Sequence, residues 1–193
     1  MSKGSSTALI VAAGKGQRMR VEASSLARGG FSGVGPGKQY FSLCGEPLLA
    51  HTLRAFQGCD SVHQIVVVVN EEDIEVCRGL IEEYDISKVF EITVGGEERQ
   101  DSVGNGLRVL DGDTEVVVIH DGARPLILPR LIEEAISALS GWDGVVLGVP
   151  VKDTVKFVEG ERIVQTLDRS KLWCIQTPQV FPRHLLEEAH ERA

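Results

Sequence analysis

Positive charge is in short supply in this 193-residue chain. Twenty lysines and arginines stand against 28 aspartates and glutamates, a formal net charge of −8. Nucleic-acid-binding domains usually carry a broad basic field, so that class is disfavoured. A nucleotide substrate is not, because a cleft needs only a few local cations. The four cysteines, Cys44, Cys59, Cys77 and Cys174, are scattered, and no C-x-x-C pair occurs. This excludes the usual zinc-ligand spacing and a secreted disulfide framework, and predicts free thiols in a reducing compartment. Long apolar runs are missing too. Residues 8–13 are too few for a signal-peptide core or a membrane span, and glycine follows at once. The expectation is a cytoplasmic protein that engages neither membrane nor nucleic acid.

What is present fits a globular domain. Hydrophobic content of 42% and charged content of 25% are ordinary. A domain of this size buries roughly 70% of its unfolded surface, so 1–193 is read as one domain needing no covalent staple. Apolar β-rich runs at 7–12, 64–69, 90–94, 115–120 and 144–150 alternate with helix-like segments at 47–56, 71–84, 103–110 and 129–140. The continuous β-branched runs at 66–69 and 116–119 suit central parallel strands covered on both faces. In the last helical segment Leu131, Ile132, Ala135, Ile136 and Leu139 form one apolar stripe. The pattern predicts an α/β fold, a three-layer doubly wound and mostly parallel sheet, with ligand beyond the carboxyl ends of its strands.

Three segments depart from the alternation. Residues 21–37 are rich in glycine and serine and read as a mobile loop. Residues 154–158 and 162–167 flank Glu159-Gly160 and predict a β-hairpin arm within about 151–171. An isolated hairpin is marginal in water, so the arm is expected to contact another subunit. Residues 182–192 read as a helix after which no closing strand follows, and the C-terminal part of the fold is expected to be missing.

The first strand runs into Ala12-Ala13-Gly14-Lys15-Gly16-Gln17-Arg18-Met19. Glycines there allow a tight turn that brings backbone N–H groups close to phosphate oxygens. Met19 replaces the third glycine of a dinucleotide fingerprint, and Val69-Asn70 ends the second strand without the acid that fingerprint needs. Gly37-Lys38 is no P-loop, because Ser32 precedes it at the required glycine position and Gln39 follows. Taken alone, Lys38 reads equally as a surface lysine. His120-Asp121-Gly122-Ala123-Arg124 places a carboxylate and a guanidinium just past a buried strand. Asp121 suits a ribose hydroxyl or Mg²⁺, and Arg124 a phosphate. A helix-capping aspartate with a structural arginine is the alternative.

Seven motifs then occur in one order: Ala12-Ala13-Gly14-x-Gly16-x-Arg18-Met19, Lys38-Gln39-Tyr40, Gly95-Gly96-x-x-Arg99-x-x-Ser102-Val103, His120-Asp121-x-Ala123-Arg124-Pro125, Pro150-Val151-x-Asp153-Thr154-x-Lys156, Thr166-x-Asp168-Arg169-x-x-Leu172-Trp173 and Gln176-Thr177-Pro178-Gln179-x-Phe181. Together they resemble the 2-C-methyl-D-erythritol 4-phosphate cytidylyltransferases of isoprenoid biosynthesis. The resemblance implies a nucleotide-diphospho-sugar transferase-like, Rossmann-like sheet that moves CMP from CTP onto a small polyol phosphate and releases pyrophosphate. It implies Arg18, Lys38 and Arg169 as catalytic cations. Ala12, Ala13, Gly14, Gly16, Gly96, Glu97, Ser102, Asp121 and Gly122 are implied to bind CTP, and Arg124, Thr154 and Thr177 the acceptor. Mg²⁺ is expected mainly on the CTP phosphates, with no protein metal ligand. The arm is implied to cross to a neighbouring subunit of a homodimer, so that Thr154 and Arg169 complete the partner's pocket.

Two features depart from the family pattern. The gap at 21–37 is longer than usual, which fits either a lid or a tolerated insertion. The late Thr-Asp segment and Asn-x-Lys-x-Thr motif are absent. A ribitol-5-phosphate cytidylyltransferase and a catalytically impaired nucleotide-binding fragment are therefore the alternative readings.

Overall fold

A computed structural model describes residues 5–14 and 37–193. Lys15, Gly16, Arg18, Met19 and the predicted loop up to residue 36 lie outside the described residues.

The central sheet is built from β1 (Ser5–Val11), β4 (Gln64–Val69), β5 (Val89–Val94), β6 (Thr114–Asp121), β7 (Val145–Pro150) and β10 (Trp173–Pro182). A small hairpin, β2 (Ser42–Leu43) and β3 (Glu46–Pro47), precedes the first described helix, α1 (Leu48–Gln57). The other helices are α2 (Ile74–Glu83), α3 (Arg99–Arg108), α4 (Pro129–Ala138) and α5 (Arg183–Glu191). The sheet order is β5-β4-β1-β6-β10-β7. β5, β4, β1 and β6 pair in parallel, with Leu9 between Val66 and Ile119, and β10 runs antiparallel to both its neighbours.

The central strands sort their side chains with period two onto opposite faces. Ala8, Ile10, Ile65, Val67 and Val69 pack with Leu49, Leu53, Phe56 and Ile132 from α1 and α4. Leu9, Val66, Val68, Val117 and Ile119 pack with Val103 and Leu107 of α3, with Leu186 of α5 at the margin. This makes three layers, as expected. Fully burying one such side chain stabilises the fold by about 1.5–3 kcal/mol, so these strands anchor it.

The main differences from the sequence pattern have local causes. α3 begins at Arg99, four residues before the predicted start, because Glu98 and Asp101 form a reciprocal capping box ahead of the first apolar residue. Glu71–Asp73 forms a 3₁₀ turn, and the α-helix follows from Ile74. β10 has no counterpart among the predicted strands. Its ladder to β7 slips between Ile175 and Gln179, where polar residues and Pro178, which lacks an N–H, interrupt the apolar alternation. The hairpin arm is present as β8 (Lys156–Glu159) and β9 (Arg162–Thr166), turning at Gly160 with φ +57°. Among the described residues, no helix is long and apolar enough to cross a membrane.

Candidate active site

The carboxyl ends of β1, β4, β5 and β6 are tied together through backbone contacts. The Ala12 N–H donates to the Val68 carbonyl at 2.7 Å, Gly95 N–H to Val69 at 2.8 Å, and Gly122 N–H to Val11 at 2.8 Å. Small residues are a steric requirement here. A Cβ on Gly95 would lie 2.3 Å from Ala13 Cβ, one on Gly96 2.2 Å from Asp101 Cβ, and one on Gly122 2.8 Å from Ala12 Cβ. Ala12 and Ala13 are buried, and Gly14 is exposed at the rim. Ser102, on the first turn of α3, fastens the β5 end: its Oγ accepts from Gly96 N–H and donates to the Glu98 carbonyl, both at 3.1 Å. Glu97 stands exposed beside it.

A charged cluster borders this floor. Asp121 ends β6, and Arg99 Nε donates to its Oδ1 at 3.2 Å while Arg124 Nε donates to its Oδ2 at 2.8 Å. Arg99 Nη2 reaches Gln179 Oε1 at 3.3 Å, Arg124 Nη1 bonds Gln176 Oε1, and the Asp121 N–H donates to Thr177 Oγ1 at 3.4 Å. Two guanidiniums on one carboxylate leave a local positive excess in an acidic chain, the condition for holding phosphate. These side chains are partly exposed and solvent-screened, so they add little to stability. Asp121 caps no helix among the described elements, which removes that alternative.

The preceding His120 is 1% exposed, and burial lowers its pKa to about 4. It is therefore neutral at pH 7. Its Nε2–H donates to the Arg124 carbonyl at 3.1 Å, and its ring lies 5.1 Å from that of Phe56. It holds the Arg124 backbone from below.

Lys38 opens a 3₁₀ turn, Lys38–Tyr40, closed by the Tyr40 N–H on the Gly37 carbonyl at 3.1 Å. Lys38 is half-buried, whereas Gln39 and Tyr40 are buried. The turn joins α1 through the Leu48 N–H on the Phe41 carbonyl at 2.9 Å. From α1, Thr52 Oγ1 donates to the Gly122 carbonyl at 2.9 Å, linking the Lys38 segment to the end of β6.

Of the expected site residues, Ala12, Ala13, Gly14, Gly96, Glu97, Ser102, Asp121, Gly122, Arg124 and Thr177 gather at this sheet edge, with Lys38 joined to it through α1. Gly16 and Arg18 lie outside the described residues. Thr154 and Arg169 stand apart on the exposed arm, with Arg169 Nη1 donating to the Lys152 carbonyl at 2.7 Å. Three participants were not among the expected site residues: Arg99, Gln176 and Gln179. Their signal lay in the Gly95-Gly96-x-x-Arg99 spacing and in the polar run 176–179. No group of three His, Cys, Asp or Glu able to hold a metal occurs among the described residues.

The family model described as 2-C-methyl-D-erythritol 4-phosphate cytidylyltransferase matches residues 6–193. The chain belongs to the 2-C-methyl-D-erythritol 4-phosphate cytidylyltransferase family. It is 43% identical over 185 residues to the cytidylyltransferase of Halalkalibacterium halodurans, covering 96% of this chain and 75% of that protein. Against the one from Caldanaerobacter subterraneus it is 42% identical over 189 residues, covering 97% and 78%. The crystal structure of 4-diphosphocytidyl-2C-methyl-D-erythritol synthase from Anaerococcus prevotii superposes with a TM-score of 0.80 at 28% identity, covering 98% of this chain and 74% of that one. The motif resemblance and the α/β reading are thus borne out. The chain is a nucleotidyltransferase of the cytidylyltransferase family, and it spans about three quarters of the length of these relatives.

Proposed function

We propose that this chain transfers the cytidylyl group of CTP to the phosphate of 2-C-methyl-D-erythritol 4-phosphate, releasing pyrophosphate, at the carboxyl ends of β1, β5 and β6. The observation that carries this reading is the close-packed alanine and glycine floor bordered by the Arg99–Asp121–Arg124 cluster, at the edge where such sheets take ligand. The base and ribose of CTP rest on Ala12, Ala13, Gly14, Gly96, Glu97 and Ser102, with Asp121 and Gly122 at the ribose. Lys38 meets the triphosphate, a role that the family motif extends to Gly16 and Arg18, and Arg124 and Thr177 receive the acceptor phosphate.

In this reading an acceptor phosphate oxygen attacks the α-phosphorus in line. The new P–O bond forms as the bond to pyrophosphate breaks, and the leaving oxygen keeps the electron pair. The acceptor phosphate is already ionised, so no general base is needed, and His120, buried and neutral with its Nε2–H held by the Arg124 carbonyl, is given no part in proton transfer. The rate comes from positioning and from cations that meet charge as it builds on the leaving group. Mg²⁺ enters as a companion of the CTP phosphates. The described residues offer no cage for it, since both Asp121 oxygens already face guanidiniums.

The arm completes the proposal. Every residue of β8 and β9 is exposed, including Phe157, Val158, Ile163 and Val164, a surface suited to a second copy of the chain. In such a homodimer Thr154 and Arg169 reach the partner's acceptor pocket. The setting is the cytoplasm, where CTP is available.

Pyrophosphate release from CTP and Mg²⁺ tests the assignment, assayed with methylerythritol phosphate, with ribitol phosphate and without acceptor. Release that depends on methylerythritol phosphate is expected. Equal release with ribitol phosphate would reassign the acceptor, and CTP binding without release would leave a nucleotide-binding protein.

A further inference from the structure

β10 breaks its own register beside the site. Ile175 lies opposite Gly148 and Gln179 opposite Val146, so β10 carries two more residues than β7 across this step. On a regular strand, side chains an odd number of positions apart point to opposite faces. Gln176 and Gln179 are such a pair, yet both end on guanidiniums that share one carboxylate. Arg124 Nη1 donates to Gln176 Oε1, and Arg99 Nη2 donates to Gln179 Oε1 at 3.3 Å. Between them the buried Thr177 accepts from the Asp121 N–H. Strand irregularities of this kind re-aim side chains next to functional sites.

The two amides hold the guanidiniums without cancelling their charge. Arg99 Nε and Nη2 both lie 3.2 Å from Asp121 Oδ1, and Arg124 Nε lies 2.8 Å from Oδ2. One carboxylate is thus divided between two guanidiniums, and the other acceptor of each is neutral. A carboxylate in place of either amide would fix its arginine equally well but remove the local positive excess. Arg99 Nη1 and Arg124 Nη2 have no hydrogen-bond partner among the described residues. Two planar forks tied to one carboxylate, each with a terminal amino group to spare, suit a ligand with several anionic oxygens.

We propose that Arg99 joins Arg124 in one cradle for the acceptor phosphate, and that Gln179 and Gln176 are its positioning residues, acting through Arg99 and Arg124. The inference rests on the reading of this sheet edge as the acceptor site. The test is steady-state pyrophosphate release by the whole chain, with methylerythritol phosphate varied at saturating CTP and CTP varied at saturating acceptor. Thermal unfolding checks that each variant folds. Arg99→Ala should raise KM for the acceptor about tenfold, with KM for CTP changed less than about twofold, as loss of a charge-assisted hydrogen bond does. Gln179→Leu should raise the same constant severalfold. In the Arg99→Ala background it should change that constant by less than about twofold, since there is no longer a guanidinium to position. Gln176→Leu should act in the same way through Arg124. Gln179→Glu keeps an acceptor of similar size but cancels the excess charge, so KM for the acceptor should rise there too.

A wild-type KM for the acceptor in Arg99→Ala, Gln179→Leu, Gln176→Leu or Gln179→Glu overturns the proposal. So does an effect of Gln179→Leu that persists without Arg99, which a merely structural role of β10 would produce. A rise in KM for CTP instead of the acceptor would overturn it by moving the cradle to the triphosphate. Release by the wild-type chain that does not depend on methylerythritol phosphate would remove the proposed function itself, and the cradle with it.

Discussion

The floor at the ends of β1, β5 and β6 and the β8–β9 arm are organised in opposite ways. On the floor, backbones approach until no Cβ fits at Gly95, Gly96 or Gly122, and the hydrogen bonds that hold it come from within the chain. On the arm, both strands are exposed throughout, and apolar side chains such as Ile163, 65% exposed, cover nothing. A two-stranded hairpin with no packed face is marginal in water. The contrast separates what one chain can preorganise by itself from what needs a second surface: the floor is packed within one chain, whereas the proposed roles of Thr154 and Arg169 require a second copy.

The largest effect is expected at the proposed catalytic lysine. Lys38→Ala should lower kcat about 10²–10³-fold, as loss of a positioned transition-state donor does, and a change confined to KM would contradict that role. Gly95→Ala should next destabilise the chain by about 1–3 kcal/mol in urea unfolding, because its Cβ meets Ala13 and Ser102 inside the floor. Wild-type stability there would mean that the strand ends yield, and that the floor is less preorganised than its packing indicates.

A third measurement follows from His120. The folded chain keeps it neutral down to about pH 4, whereas the unfolded chain takes up its proton near 6.5. Between these values the unfolded state binds more protons, so stability falls as pH drops. The loss should be about 2 kcal/mol between pH 7.5 and pH 5, and His120→Asn should flatten this slope.

The arm should respond in the reverse sense. Arg169→Ala should lower kcat about tenfold with unfolding unchanged, since its hydrogen bond is an exposed one to Lys152. Mixing it with Lys38→Ala should recover activity if each site draws on both chains; no recovery would confine the site to one chain. Ile163→Glu should change monomer stability least, by about 0.5 kcal/mol or less, while shifting sedimentation toward monomer. A sedimentation profile unaffected by this change would remove the arm from any interface.

Much of this organisation is legible in the residue pattern. Runs such as 65–69 read as central strands because only a position covered on both faces tolerates uninterrupted β-branched side chains. Gly96 and Gly122 were marked by the motif resemblance, and the structure gives the reason for glycine there: a Cβ would meet Asp101 or Ala12. The start of α3 was obscured because its first turn is polar and held by a capping box, which leaves no apolar period to read. The Lys38 segment was legible as a motif, but nothing local marked Thr52 as the residue that ties the following helix to the end of β6.

The strand–helix alternation and the family were determined by the sequence, because they rest on local spacing and ordered motifs: period two, a helical stripe, glycines after strands. The tertiary structure alone decided that Trp173–Pro182 enters the sheet antiparallel between β6 and β7. That strand carries Gln176 to Arg124, Thr177 to Asp121 and Gln179 to Arg99, pairing Gln179 with Ile119 sixty residues earlier in the chain. No local period encodes such a partner. A strand broken by polar residues and a proline is stable only when the neighbouring strands supply its ladder, and that choice is made by the packed sheet as a whole.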